Sequence, residues 1–225
     1  MIKDISYFII HPKIIELPIS LSLGKSISLM GKIVLLYLGL IIFTSIVFLP
    51  ILKLFDLIPD HRISLSSIPL SFKLIFFVPI YEELIFRLPL KFSKQNLFLS
   101  LAALQFLLCY HLISFNILIF ISFLIASIPY LNLIPIFFYS KLESFWYKYF
   151  PFMYYGLALC FGLLHLTNFV NLKFEHFLLF PFLVVNQIFM ALLLGYVRVN
   201  FQNGFIYSVL LHFSINLPFI WISHL

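Results

Sequence analysis

An all-α, polytopic transmembrane bundle of about seven spans with an intramembrane polar site is the fold that this sequence predicts. Three observations predict it. Of 225 residues, 63% are hydrophobic and 10% charged, with a mean hydropathy of +1.12; a soluble domain is nearer half apolar and a quarter charged. Charge-free windows recur at about the 20 residues that cross a bilayer. Charges and prolines gather between those windows, as loops and breakers do.

The first 30 residues contain Pro12, Pro18 and scattered lysines, and no small-residue cleavage site precedes the first long apolar run. They read as an interfacial segment rather than a cleavable signal peptide. Residues 31–225 then read as one transmembrane domain, because no linker is long enough to divide them.

The first span is expected over 33–52, bracketed by Lys32 and Lys53. Asp56, Pro59, Asp60, His61 and Arg62 make the next loop, and the second span covers 68–90. Residues 95–140 contain no Asp, Glu, Lys or Arg. One helix that long would reach about 70 Å against a core of about 30 Å, so it must fold back into two spans. The turn is expected near 111–116, with Pro129 and Pro135 kinking or ending the fourth span. Lys141, Glu143 and Lys148 make a polar connection, with Trp146, Tyr147 and Tyr149 as an aromatic belt. The fifth, sixth and seventh spans follow over 149–167, 176–197 and 205–222, with Arg198, Asn200, Asn203 and Gly204 as the last turn.

The net charge of +6 does not imply nucleic acid, since Lys and Arg of a membrane protein mark cytoplasmic loops and anionic-lipid contacts. With the N-terminus inside, Lys3, Lys13, Lys25, Lys32, Lys91, Lys94, Lys141, Lys148 and Arg198 face one side, against Lys53, Arg62, Lys73 and Lys173 on the other. That asymmetry predicts a cytoplasmic N-terminus in the plasma membrane. Cys109 and Cys160 lie in apolar runs and read as buried small hydrophobes.

The second span is not wholly apolar. Glu82, Glu83 and Arg87 stand within it, and each ionised group facing lipid would cost roughly 2.5–3.5 kcal/mol. They must face inward, pair, or line a wet cavity. Glu83 and Arg87 are four apart and can pair along one face. This pair has a purely structural reading, as a bridge locking the helix. Glu82 lies about 100° round from Glu83, without a partner in its own helix, and suits a general base or acid.

His165 in the fifth span shares a face with Gly162 and Ala158, where a neighbouring helix can come close. His212 and Asn216 are one turn apart in the seventh. A base, an imidazole and potential oxyanion donors make a hydrolase inventory. Asn186 and Gln187 suit interhelical hydrogen bonds. Ser208 and Ser214 lack a nucleophile elbow, and no HExxH, Walker A or GxGxxG pattern occurs.

Residues 82–87, EELIFR, resemble the EExxxR motif of the CPBP family of intramembrane endopeptidases, which groups CAAX prenyl proteases with bacteriocin-processing enzymes. Phe161 and His165 resemble its FxxxH motif, and His212 and Asn216 its HxxxN motif, in the same order. The resemblance implies a membrane peptidase with Glu82, Glu83, His165, His212 and Asn216 in its catalytic site. Glu82 would activate water, His165 would orient or assist it, and His212 with Asn216 would stabilise the tetrahedral oxyanion. Glu83 and Arg87, with Phe161, would position the helices. The implied partners are a peptide or protein substrate at the membrane and the bilayer itself.

No cofactor is expected on this reading. The alternative is a zinc held by Glu82, His165 and His212, a known two-His, one-Glu set. Two other classes compete: a non-catalytic binding or immunity protein that uses the polar cluster as glue, and a transporter using the carboxylates as a proton relay. The chain shows no inverted repeat or paired broken helices that would favour transport.

Overall fold

The computed structural model describes residues 2–55, 57, 76–112, 136–169 and 172–222. The described part is helical throughout: α1 (Ile2–Ile10), α2 (Leu23–Leu54), α3 (Val78–Phe86), α4 (Lys94–Leu112), α5 (Ile136–Lys148), α6 (Phe150–Leu164), α7 (Phe180–Asn200) and α8 (Gly204–Ile222). No named strand occurs among the described residues; a single parallel bridge joins Ile19 to Phe201.

Three helical stretches are long and apolar enough to cross a membrane, namely Leu23–Phe48, Phe150–Asn168 and Glu175–Asn200. Gly204–Pro218 is a shorter apolar helix. These four correspond to the expected first, fifth, sixth and seventh spans. The second is described only from residue 76. The fold-back in 95–140 and the prolines 129 and 135 lie largely outside the described residues, so seven spans remain an expectation.

Two sequence readings change. Cys160 is a free, exposed thiol on α6 rather than a buried one. Arg198, expected in a turn, lies in the last turn of α7 and is 6% exposed. Hydropathy alone cannot foresee either. Cys160 falls on the outward side of a helix that is apolar all round, and Arg198 is held by partners distant in sequence.

The core forms where α6, α7, α3 and α8 meet, around Phe161, Leu193, Leu194, Val197, Leu211 and Ile215. Small residues let α6 and α7 approach. Gly162 and Ala158 are buried, and a side chain at Gly162 would meet Ile188. Tyr154 spans this interface and donates to Leu192 O at 2.6 Å. Asn186 does join helices as its type suggested: the Thr44 hydroxyl of α2 lies 2.9 Å from Asn186 Oδ1 and 3.0 Å from Ile41 O. Phe8 docks α1 edge-on against Tyr154 and Tyr196.

The turn from α7 into α8 is tight. Gly204 N–H donates to Phe201 O at 3.1 Å, and a Cβ there would collide with the backbone oxygens of Val197 and Arg198. Main-chain atoms cannot swing aside as a side chain can. Gly204→Ala is expected to cost about 1–3 kcal/mol, the usual scale of overpacking, and to disturb the helix that carries His212. Gly24→Ala, where a Cβ meets open space, should leave stability within about 0.5 kcal/mol. Unfolding of both variants in one detergent would check the contrast.

Candidate functional site

The sequence around α3 explains why the helix stops there, at an end that is buried. Pro79 sits in the first turn, where its missing N–H costs nothing. Pro89 lies four residues past Ile85 and can neither donate to Ile85 O nor let the helix continue. Ser100 of α4 takes that place, its hydroxyl donating to Ile85 O at 2.9 Å. The following carbonyls are met from α7: Arg198 Nε donates to Arg87 O at 3.2 Å and Nη2 to Leu88 O at 3.3 Å. A cation at the C-terminus of α3 also complements the helix dipole. The chain then tightens into a 3-10 turn over Leu88–Leu90, and Lys91 Nζ donates to Phe201 O at 2.9 Å.

Glu83 is fully buried and central. Its Oε1 accepts from His212 Nδ1 at 3.0 Å and pairs with Arg87 Nε at 3.4 Å, the helical ion pair that their spacing predicted. Ser208, one turn before His212 on α8, is also buried and lies against the Glu83 carboxylate. Its hydroxyl donates to Phe205 O at 2.9 Å. Sequence reasoning set Ser208 aside as a nucleophile. The available signal was its i−4 position on the face of His212.

Arg87 is the largest fully buried side chain among the described residues. Beyond the 3.4 Å pairing, its guanidinium nitrogens make no hydrogen bond among the described residues. Its Cζ instead lies 4.0 Å from the centroid of the Phe161 ring. Phe161 therefore does more than fill space: a desolvated cation over an aromatic face is worth about 2 kcal/mol. The same ring lies 4.6 Å from His165 and 6.1 Å, edge-on, from His212.

Glu82, on the adjacent face of α3, points into a partly open space. It is 23% exposed, and two imidazoles converge on it. His212 Nε2 lies 3.4 Å from Oε2, and His165 Nε2 lies 4.0 Å from Oε1. The 165–168 segment is a 3-10 turn, so the tightened backbone leaves Phe161 O to accept from His165 Nδ1 at 2.9 Å. A carbonyl can only accept, so Nδ1 carries the proton and Nε2 of neutral His165 is a lone pair aimed at the site. Asn216 is half-buried one turn after His212.

Five of the seven sequence-predicted residues thus form one connected cluster with Glu82 and Glu83 on adjacent faces of α3, joined by Arg87, His165 and His212. Phe161 supports it from beneath, and Asn216 stands one helical turn away.

A zinc held by Glu82, His165 and His212 would need His165 drawn closer to Glu82 than it stands. A tetrahedral zinc with bonds of about 2.0–2.1 Å sets its ligand atoms roughly 3.3 Å apart. The Glu82–His212 separation matches, whereas Glu82–His165 at 4.0 Å is longer. Among the described residues no group of three or more His, Cys, Asp or Glu has metal-holding geometry.

No protein-family model, curated protein or solved structure matches the chain.

Proposed function

We propose that this chain is an intramembrane endopeptidase that hydrolyses a peptide bond of a membrane-associated peptide or protein. The observation that carries the reading is the convergence of His165 Nε2 and His212 Nε2 on the half-open carboxylate of Glu82, among helices apolar enough to cross a membrane.

The chemistry follows from donors and acceptors. Glu82 Oε1 and His165 Nε2 are both acceptors and stand too far apart to bond directly. A water about 2.8 Å from each would subtend roughly 90° across their 4.0 Å separation, near the angle between its own O–H bonds. Such a water is gripped by both hydrogens, and its oxygen lone pairs face outward. Glu82 takes one proton as the oxygen attacks the scissile carbonyl carbon, and the carbonyl becomes an oxyanion. His212, with Nδ1–H held by Glu83 and a second proton on Nε2 in this step, donates from Nε2 to that oxyanion, with the Asn216 amide one turn further along. Glu82 then returns its proton to the leaving amine as the C–N bond breaks. Metal-free glutamate chemistry is thereby complete in protons and bonds.

Comparing the membrane proteomes of cells carrying wild-type or Glu82→Ala protein tests this directly. The expected result is a peptide or membrane protein that persists uncleaved only with the variant. Indistinguishable proteomes from equally abundant proteins would favour the glue role instead.

A further inference from the structure

The groove at the start of α2 lies apart from the Glu82 cluster and does not depend on it. Its cavity volume is about 440 Å³, within the range of small-molecule sites. Lys25, Ser28 and Lys32 of α2 line it, together with Leu21, Leu29 and, from α1, Asp4. Two cations against one carboxylate leave the lining positive.

Where this groove sits in a bilayer follows from helix length. The 32 residues of α2 span about 48 Å, against a hydrocarbon core of about 30 Å. The charge-free stretch begins after Lys32, so the first ten residues of α2, about 15 Å of helix, run from the edge of the core through the headgroup layer. Lys25, Ser28 and Lys32 are spaced three and four apart. Continuing that spacing gives Leu35, Gly39, Ile42 and Ile46 on the same face. Leu35 is 70% exposed, Ile42 61% and Ile46 72%, and nothing lies within 4 Å of a Cβ at Gly39. A cationic groove therefore continues along the same helix face into an apolar track that is exposed among the described residues.

We propose that this stripe holds a single anionic phospholipid, its phosphate between Lys25 and Lys32 and an acyl chain along Leu35, Ile42 and Ile46. A lipid is the one occupant that presents a phosphate and a hydrocarbon chain in that order, at that depth. Ser28 is placed to donate to a phosphate oxygen. Higher salt weakens the headgroup half of the contact and leaves the chain half in place.

Full-length protein in neutral detergent, incubated with phosphatidylglycerol or phosphatidylcholine and examined by native mass spectrometry, tests the site. Phosphatidylglycerol should be retained in preference to phosphatidylcholine. Lys25→Ala/Lys32→Ala should weaken its retention about 30-fold, at roughly five-fold per lysine. Lys141→Ala/Lys148→Ala, which removes two exposed cations from α5, should leave it unchanged. Gly24→Trp fills the groove without altering charge, since a Cβ there meets open space; it should displace the lipid as well. Equal losses from both lysine pairs would reduce the effect to diffuse surface charge. Retention unaffected by Gly24→Trp would overturn the groove. Displacement by millimolar inorganic phosphate as effective as by phosphatidylglycerol would show a free-anion site instead.

Discussion

Replacing Arg87 by methionine is expected to destabilise the protein by about 3–5 kcal/mol, the cost of leaving one partner of a buried ion pair uncompensated. The size follows from where Glu83 sits. Its carboxylate is fully buried, and after the substitution His212 and Ser208 are the polar groups left against it among the described residues. Methionine fills much of the volume, so little of the effect is a cavity. Arg87→Lys separates charge from shape. It restores a cation beside Glu83 but loses the planar group that lies 4.0 Å over the Phe161 ring, and should recover only part of the loss.

The decisive measurement is a double-mutant cycle. Removing both charges, with Glu83→Leu added to Arg87→Met, deletes the penalty along with the pair, because apolar replacements of buried ion pairs are often near neutral. The double variant is therefore expected to be more stable than Arg87→Met alone. A coupling of at least about 1 kcal/mol, measured by reversible unfolding in micelles, would express this. Additive losses would mean that Arg87 acts through packing on Phe161 rather than through Glu83.

Much of this arrangement was legible in the sequence, for reasons of period and cost. The spacing of Glu83 and Arg87 required a pair along one helix face, and the structure closes it at 3.4 Å. Glu82 was the carboxylate left over, and it is the one at the open edge. The His212 register with Asn216 followed from helical spacing alone. Partners contributed by distant segments carried no such signal. That His212 bonds Glu83 through Nδ1 while turning Nε2 to Glu82 depends on how α8 rotates against α3. Ser100 and Arg198 satisfy the end of α3, but nothing local to either residue announces it; the clue was Pro89, which guaranteed a free carbonyl at Ile85 without saying what would meet it. Apolarity on every face of these helices likewise hid which side of α6 would bury Phe161 and which would expose Cys160.

Glu82→Gln is expected to remove activity by about 10²–10⁴-fold, the share that a positioned general base contributes, while changing stability by less than about 1 kcal/mol. The substitution is nearly isosteric, so the separation of effects rests on charge. Glu82 is partly exposed and its contacts at 3.4 and 4.0 Å are long, which leaves little folding energy to lose. Its neighbour gives the contrasting result. Glu83→Gln sits in a fully buried position between Arg87 and His212, and should lower stability and activity together. If Glu82 serves only as glue between α3, α6 and α8, the pattern inverts: Glu82→Gln keeps function, and His165→Ala and His212→Ala change only the unfolding midpoint. Measured side by side on a substrate found from the uncleaved species, with unfolding followed in the same detergent, the two glutamates separate catalysis from cohesion. Adding a chelator to wild-type protein in that assay also tests the metal-free chemistry, since a loss of cleavage restored by zinc would move the water-activating role from Glu82 to a metal.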